Sequence, residues 1–105
     1  MNTCNLSGKL ARNAIVSGTG DKVLVFTLAT KYGYNATEKK DRISYVPCVL
    51  FNPAPEIETL LSEKGKGVFI ECEGRVSSSS YEADGERKFK TEVIVRNGTL
   101  SVVNS

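Results

Sequence analysis

The sequence contains no histidine and no tryptophan, and only three of its 105 residues are cysteine. No Cys-x-x-Cys pair occurs, so the usual ligand sets for zinc are excluded, and we expect neither a metal nor another cofactor. Nucleophile motifs such as Gly-x-Ser-x-Gly and phosphate-binding Walker loops are also missing. We therefore expect no catalytic residue and no enzyme activity.

Long apolar runs are lacking as well. None approaches the roughly 18 residues of a membrane span, and the N-terminus has no basic start followed by an apolar stretch, so we expect no signal peptide and no membrane partner. Cys4, Cys48 and Cys72 fall on the inward parity of candidate strands, where a free thiol acts as a small core residue. Reduced thiols indicate a cytoplasmic location.

What the sequence does contain is a series of short apolar segments with the alternation of β-strands. Five strands are predicted: residues 4–16, Lys22–Thr30, Ile43–Phe51, Val68–Val76 continuing to Tyr81, and Lys88–Val95. Residues 32–42 are polar and predict a loop too long for a tight hairpin, whereas residues 83–86 predict a hairpin tip.

One helix is predicted between the third and fourth strands. Asn52 is its expected N-cap, Pro53 its first residue and Gly65 its C-terminal cap. The order β-β-β-α-β-β predicts one domain over residues 1–105, an all-β, five-stranded Greek-key barrel of the OB-fold type with one helix between strands 3 and 4.

The third predicted strand has apolar residues on both faces. Val46, Cys48 and Leu50 form a core face, while Tyr45 and Phe51 lie on the opposite face and need a partner or a flat ligand. In an OB barrel, we expect four aromatics to border one concave surface: Tyr34, Tyr45, Phe51 and Tyr81. Aromatic rings on such a surface stack unpaired bases, each stack contributing about 1–3 kcal/mol. Phe26 and Phe89 are predicted to be core residues, and Phe69 to lie in a subunit interface.

Positive charge is concentrated beside these aromatics. The predicted loop between strands two and three contributes the basic residues Lys31, Lys39, Lys40 and Arg42. The chain as a whole carries a net charge of only +2, which permits an acidic partner without requiring one. The loop therefore predicts phosphate contacts.

At this point the sequence resembles the bacterial, phage and plasmid single-stranded DNA-binding (SSB) proteins over nearly its whole length. The resemblance is carried by residues 5–13, 26–30, 49–51, 73–75 and 89–95, in the family's order and spacing. It implies base stacking by Tyr34, Tyr45, Phe51 and Tyr81, and DNA contact by Lys66. It also implies single-stranded DNA as the partner, in replication, recombination or repair, and a homo-oligomer, with a tetramer favoured over a dimer.

Three departures from the family's pattern matter. Tyrosine replaces tryptophan at three of the four stacking positions, which predicts weaker binding, and Ser77 and Ser79 stand where basic residues are common. Pro47 interrupts the third strand and predicts an unpaired edge or a bulge there. The family's Gly-rich linker and acidic C-terminal tip do not occur in these residues, so recruitment of replication proteins through such a tail is not expected.

Two alternatives stay open at the level of sequence. A module of the primosomal replication protein B type has the same fold and binds single-stranded DNA as a dimer. An OB module that binds protein would bury the same aromatics against a partner. Salt separates a phosphate-binding surface from an apolar protein interface, since only phosphate binding weakens steeply as salt rises.

Overall fold

The computed structural model describes residues 1–18 and 20–103. Its elements are β1 (Cys4–Leu10), β2 (Ile15–Ser17), β3 (Val23–Asn35), β4 (Lys40–Phe51), α1 (Pro55–Lys64), β5 (Phe69–Ala83), β6 (Glu86–Val95) and β7 (Ser101–Val102). Five strands close into a barrel in the order β1-β3-β4-β6-β5 and back to β1; the short strands β2 and β7 pair with β3 and β5. The predicted OB-fold is confirmed, and its first strand divides into β1 and β2.

The barrel closes where backbones approach each other closely. A Cβ atom on Gly8 would lie 2.5 Å from the carbonyl oxygen of Ala29 in β3, and one on Gly74 would lie 2.4 Å from that of Ile94 in β6. Real Cβ contacts are longer than either distance. These two glycines therefore allow β1 to reach β3 and β5 to reach β6, as glycine does in strands where another backbone comes near.

The core lies between the barrel walls and α1. Fully buried side chains come from both: Leu24 and Leu28 of β3, Ile70 of β5 and Leu61 of the helix are each 0% exposed. The backbone N–H of Ala14 donates to the carbonyl oxygen of Leu61 (2.7 Å), which fixes the helix to the segment between β1 and β2. The helix thus covers one end of the barrel with an apolar stripe made of Ile57, Leu60 and Leu61.

The helix begins later than the sequence predicts. Pro55, not Pro53, occupies its first turn, and Ala54 is the N-cap without a side-chain hydrogen bond. Asn52 does not cap the helix: it directly follows β4, its N–H donates to the carbonyl oxygen of Lys22 (2.8 Å), and its φ is +51°. Gly65 ends the helix as predicted, although in a right-handed conformation.

The segment predicted as a loop, residues 32–42, is mostly strand. β3 and β4 stay paired from Val23–Phe51 to Asn35–Lys40, and only residues 36–39 form the turn. The Asn35 side chain builds this turn, because its Oδ1 accepts the N–H groups of Thr37 (3.0 Å) and Glu38 (3.2 Å). The polar composition is misleading because both faces of a projecting hairpin are wet, so no apolar alternation is needed.

The prediction that Phe89 on β6 is a core residue is wrong for a related reason, and Val76 on β5 shows the same effect. Val76 is 45% exposed and Phe89 is 71% exposed, although both share the inward parity of buried Val93 and Val95. These strands continue past the barrel, where no segment within residues 1–18 and 20–103 covers the inward face. The hairpin tip is where it was predicted, with Asp84 and Gly85 both at positive φ.

Candidate nucleic-acid interface

Two hairpins project from the barrel as arms. The β3–β4 arm comprises residues 31–43 and the β5–β6 arm comprises residues 77–92. β4 and β6 run parallel and pair at Cys48–Val93 and Val49–Ile94, so both arms leave the same end of the barrel. Pro47 immediately precedes the paired residues, and along the arm no described residue pairs with β4 on that side. The unpaired edge predicted from Pro47 is confirmed.

The registers define one outer face across the four strands β3, β4, β6 and β5. On β4 this face carries Tyr45 and Phe51, opposite in parity to buried Cys48 and Leu50. Val49 has the same parity and lies between the two aromatics along β4, but it is only 6% exposed.

Tyr81 joins the same outer face through β6. Val49 pairs with Ile94, Ile94 with Arg75, and Tyr81 lies an even number of residues beyond Arg75 on β5. Side chains of equal parity along a strand share a face. Tyr81 is 51% exposed, on the arm next to the one that carries Tyr45.

Tyr34 reaches the outer face through a β-bulge. The register between β3 and β4 shifts between Lys31 and Gly33, which leaves Tyr32 as an extra residue. Beyond the shift, Tyr34 pairs with Asp41, which has the same parity as Tyr45 on β4. Bulges commonly redirect side chains in this way.

The four aromatics predicted to stack bases therefore share one face, and all are open to solvent. Their exposed fractions are 58% for Tyr34, 65% for Tyr45, 46% for Phe51 and 51% for Tyr81. Rings of this size usually bury most of their surface in a folded domain. Four unburied rings on one sheet face are available to a ligand.

The structure places the predicted phosphate-binding residues at several different locations. Lys31 shares the outer face, where its Nζ lies 3.0 Å from Asp41 Oδ1. Lys40 and Arg42 have the opposite parity on β4, and Lys39 lies in the turn with φ +56°. Lys66 lies elsewhere, in the connection between α1 and β5, where its N–H donates to Asn13 Oδ1 (2.9 Å).

Sequence reasoning missed a second basic group on the outer face. Lys88 pairs directly with Tyr81, and Lys90 and Arg75 lie on the same outer face of the two strands. The signal was present, because Lys88 and Lys90 alternate with Phe89 next to a recognisable two-residue turn at Asp84-Gly85. Assigning Phe89 to the core obscured it, since that assignment implied a fully covered strand.

Phe69, the predicted interface residue, lies on the outside of the barrel at the start of β5. It is partly buried and pairs with Lys9 of β1. Together with Gly8, Ala29 and Ile43 it lines an open hollow of about 480 Å³ beside the base of the β3–β4 arm.

No helix in the described part of the chain is long and apolar enough to cross a bilayer. Within residues 1–18 and 20–103, no group of three or more His, Cys, Asp or Glu side chains is arranged to hold a metal ion.

A small closed barrel with exposed aromatics and basic residues on one face defines a class of OB-fold protein that binds single-stranded nucleic acid. The comparisons with known proteins agree with this class. The model of the single-strand binding protein family matches residues 1–101, and the chain belongs to that family. The predicted membership and the prediction of single-stranded DNA binding are thereby confirmed.

Among solved structures, the chain is similar to the Plasmodium falciparum SSB in complex with single-stranded DNA, with a TM-score of 0.75. The two are 19% identical, and the match covers 98% of this chain and 93% of that chain. A likeness at this identity concerns the fold. A search of curated proteins finds no match.

Proposed function

We propose that this protein binds single-stranded DNA with little sequence preference and protects it during replication, recombination or repair. The observation that carries the proposal is the common face of Tyr34, Tyr45, Phe51 and Tyr81, all of them exposed. Every base has a π-face, so stacking on these rings is tolerant of sequence. The protein acts by binding alone, without catalysis.

Phosphate contacts come from the two arms. The β3–β4 arm is a two-stranded β-ribbon, so a flexible single strand of DNA can contact it from either side. Its basic residues are Lys31, Lys39, Lys40 and Arg42. Lys88 and Lys90 contribute beside Tyr81. Lys66 contributes a phosphate contact only if the bound DNA continues past the barrel towards α1.

Assembly and location are further parts of the proposal. We propose a homo-oligomer, a tetramer before a dimer, with Phe69 in a subunit interface on the outside of the barrel. Cytoplasmic action is supported by the free thiols, since Cys48 and Cys72 are buried and unpaired in the described structure.

The test is a titration of fluorescent oligo-dT at low and high salt, with protein whose mass in solution is known. Tyr81→Ala should weaken binding by about 1–3 kcal/mol. Phe89→Ala is the matched control, because Phe89 is even more exposed on the same arm but has the opposite parity. Duplex DNA of equal length should compete poorly.

The outcomes separate the candidates. Tight, salt-sensitive binding by a tetramer supports the proposal, and the same binding by a dimer favours an assembly of the primosomal type. Lack of binding at low salt would mean that the aromatics face a protein partner.

A further inference from the structure

We propose that Asp41 is an intramolecular competitor for Lys31, so that a DNA phosphate must displace the Asp41 carboxylate before it can use this lysine. The inference rests on the proposed function, because it concerns how the same face receives its ligand. It identifies Asp41 as a residue that sets the affinity and salt response of the site.

The first support is the geometry of the ion pair. Lys31 Nζ lies 3.0 Å from Asp41 Oδ1, and the two residues belong to the two strands of the β3–β4 arm. Lys31 pairs with Ile43 and Asp41 pairs with Tyr34, so the contact crosses the arm diagonally on the outer face. By register the ion pair therefore lies beside Tyr34 and one row from Tyr45 on the outer face, and both of its residues also line the hollow that contains Phe69.

The second support is charge. Lys31 is the one basic residue of the β3–β4 arm whose register parity matches that of the aromatics. A carboxylate and a phosphate accept hydrogen bonds from the same ammonium group, so they compete for it. While Asp41 holds Lys31, the arm presents a neutral pair where a phosphate needs a cation.

The third support is the strength of the contact. The Lys31 and Asp41 side chains are 62% and 48% exposed. Exposed pairs of this kind change an equilibrium constant by about 1.5- to 5-fold. Such a contact is too weak to prevent binding, but strong enough to tune it.

The β5–β6 arm repeats the arrangement in a looser form. Lys90 Nζ lies 3.7 Å from Glu92 Oε2, and Lys90 shares the outer face with Tyr81. Each arm thus carries an outer-face lysine beside a carboxylate. Lys31 has the shorter contact, so we expect the larger effect from Asp41.

The experiment is a double-mutant cycle read by oligo-dT titration over a salt series. It uses the full chain and compares wild type, Asp41→Asn, Lys31→Gln and the double variant. Asp41→Asn should raise affinity about two- to fivefold at low salt. It should also steepen the plot of log Kobs against log salt by up to about 0.7, the value for one more phosphate contact on a single strand.

The double variant gives the decisive comparison. If Asp41 acts through Lys31, Asp41→Asn should have little effect when Lys31 is already glutamine. Glu63→Gln is the control for net charge, because Glu63 is exposed on α1 and lies outside both arms. It should leave affinity unchanged.

An equal gain in both backgrounds, or an equal gain from Glu63→Gln, would overturn the inference, because it would indicate general repulsion. Unchanged affinity in Asp41→Asn would also overturn the inference. The proposed function would still stand in that case, provided that the wild-type protein binds oligo-dT. Absence of binding by the wild type would instead overturn the proposed function and this inference together.

Discussion

Tyr34 lies opposite Asp41 across the β3–β4 arm, a pairing that exists because Tyr32 is an extra residue in β3. Without the register shift that follows Lys31, Tyr34 would lie opposite Lys40 and have the parity of the other face. A one-residue slip moves every later side chain to the opposite face. The bulge therefore decides whether Tyr34 can act with Tyr45.

The first prediction concerns Tyr34 itself. Tyr34→Ala should weaken binding of oligo-dT by about 1–3 kcal/mol, because a stacking ring is lost. The melting temperature should be almost unchanged, since the side chain is 58% exposed. Tyr34→Phe keeps the ring and should keep most of the affinity. Full affinity in Tyr34→Ala would place this residue outside the path of the DNA.

The second prediction concerns the basic group that sequence reasoning missed. Lys88→Gln should reduce the slope of log Kobs against log salt by about 0.7, the loss of one phosphate contact. Lys88 pairs with Tyr81, so we expect it to reach the phosphate beside a base stacked on that ring. Arg12→Gln removes the same charge from the exposed connection between β1 and β2 and should leave the slope unchanged.

The third prediction concerns closure of the barrel. Gly8→Ala should lower the free energy of unfolding by about 1–3 kcal/mol, because the new methyl group overpacks a fixed backbone. Its Cβ would lie 2.5 Å from the Ala29 carbonyl oxygen. In the control, Gly33→Ala, the nearest atom is Arg42 Cδ at 3.7 Å, so the cost should be small. Denaturant unfolding would measure both, and equal costs would contradict the assignment.

The fourth prediction concerns alkaline pH. Burial raises the pKa of the Cys48 thiol to about 12 and that of Cys72 to about 11, from an ordinary value of 9.0. Between pH 9 and these values, the unfolded chain loses thiol protons that the folded chain keeps. The free energy of unfolding should therefore fall as pH rises, by at most about 1.4 kcal/mol per pH unit for each thiol.

Cys48→Ala supplies the test of the alkaline effect. Removing the thiol should reduce the steepness of the fall above pH 9, although the cavity lowers stability at every pH. Denaturant unfolding at a series of pH values gives both quantities. An unchanged slope would show that other groups dominate the alkaline transition.

Much of the barrel could be predicted because its strands obey local rules. The alternation of Val46, Cys48 and Leu50 with Tyr45 and Phe51 identifies two faces from the sequence alone. Asp84-Gly85 likewise specifies its own turn. Each of these patterns needs only neighbouring residues, so tertiary contacts do not override it.

The errors occur where a residue's environment depends on distant segments. Phe89 has the sequence pattern of a core residue, but it lies beyond the end of the barrel, where no element of the described structure covers it. Asn52 has the composition of a helix cap, but its backbone is already committed to Lys22. Neither circumstance can be seen in a local pattern.

Local pattern in the chain was enough to predict the fold class, the family and the four aromatics proposed to stack bases, but not the exposure of Phe89. Which side chains share a face follows from the three-dimensional fold, because it depends on register and on one extra residue at Tyr32. The fold also decides which charged side chains are already paired, since the Lys31–Asp41 contact joins residues from two strands. Alternation is a property of a single strand, whereas a binding face is a property of several strands held in register.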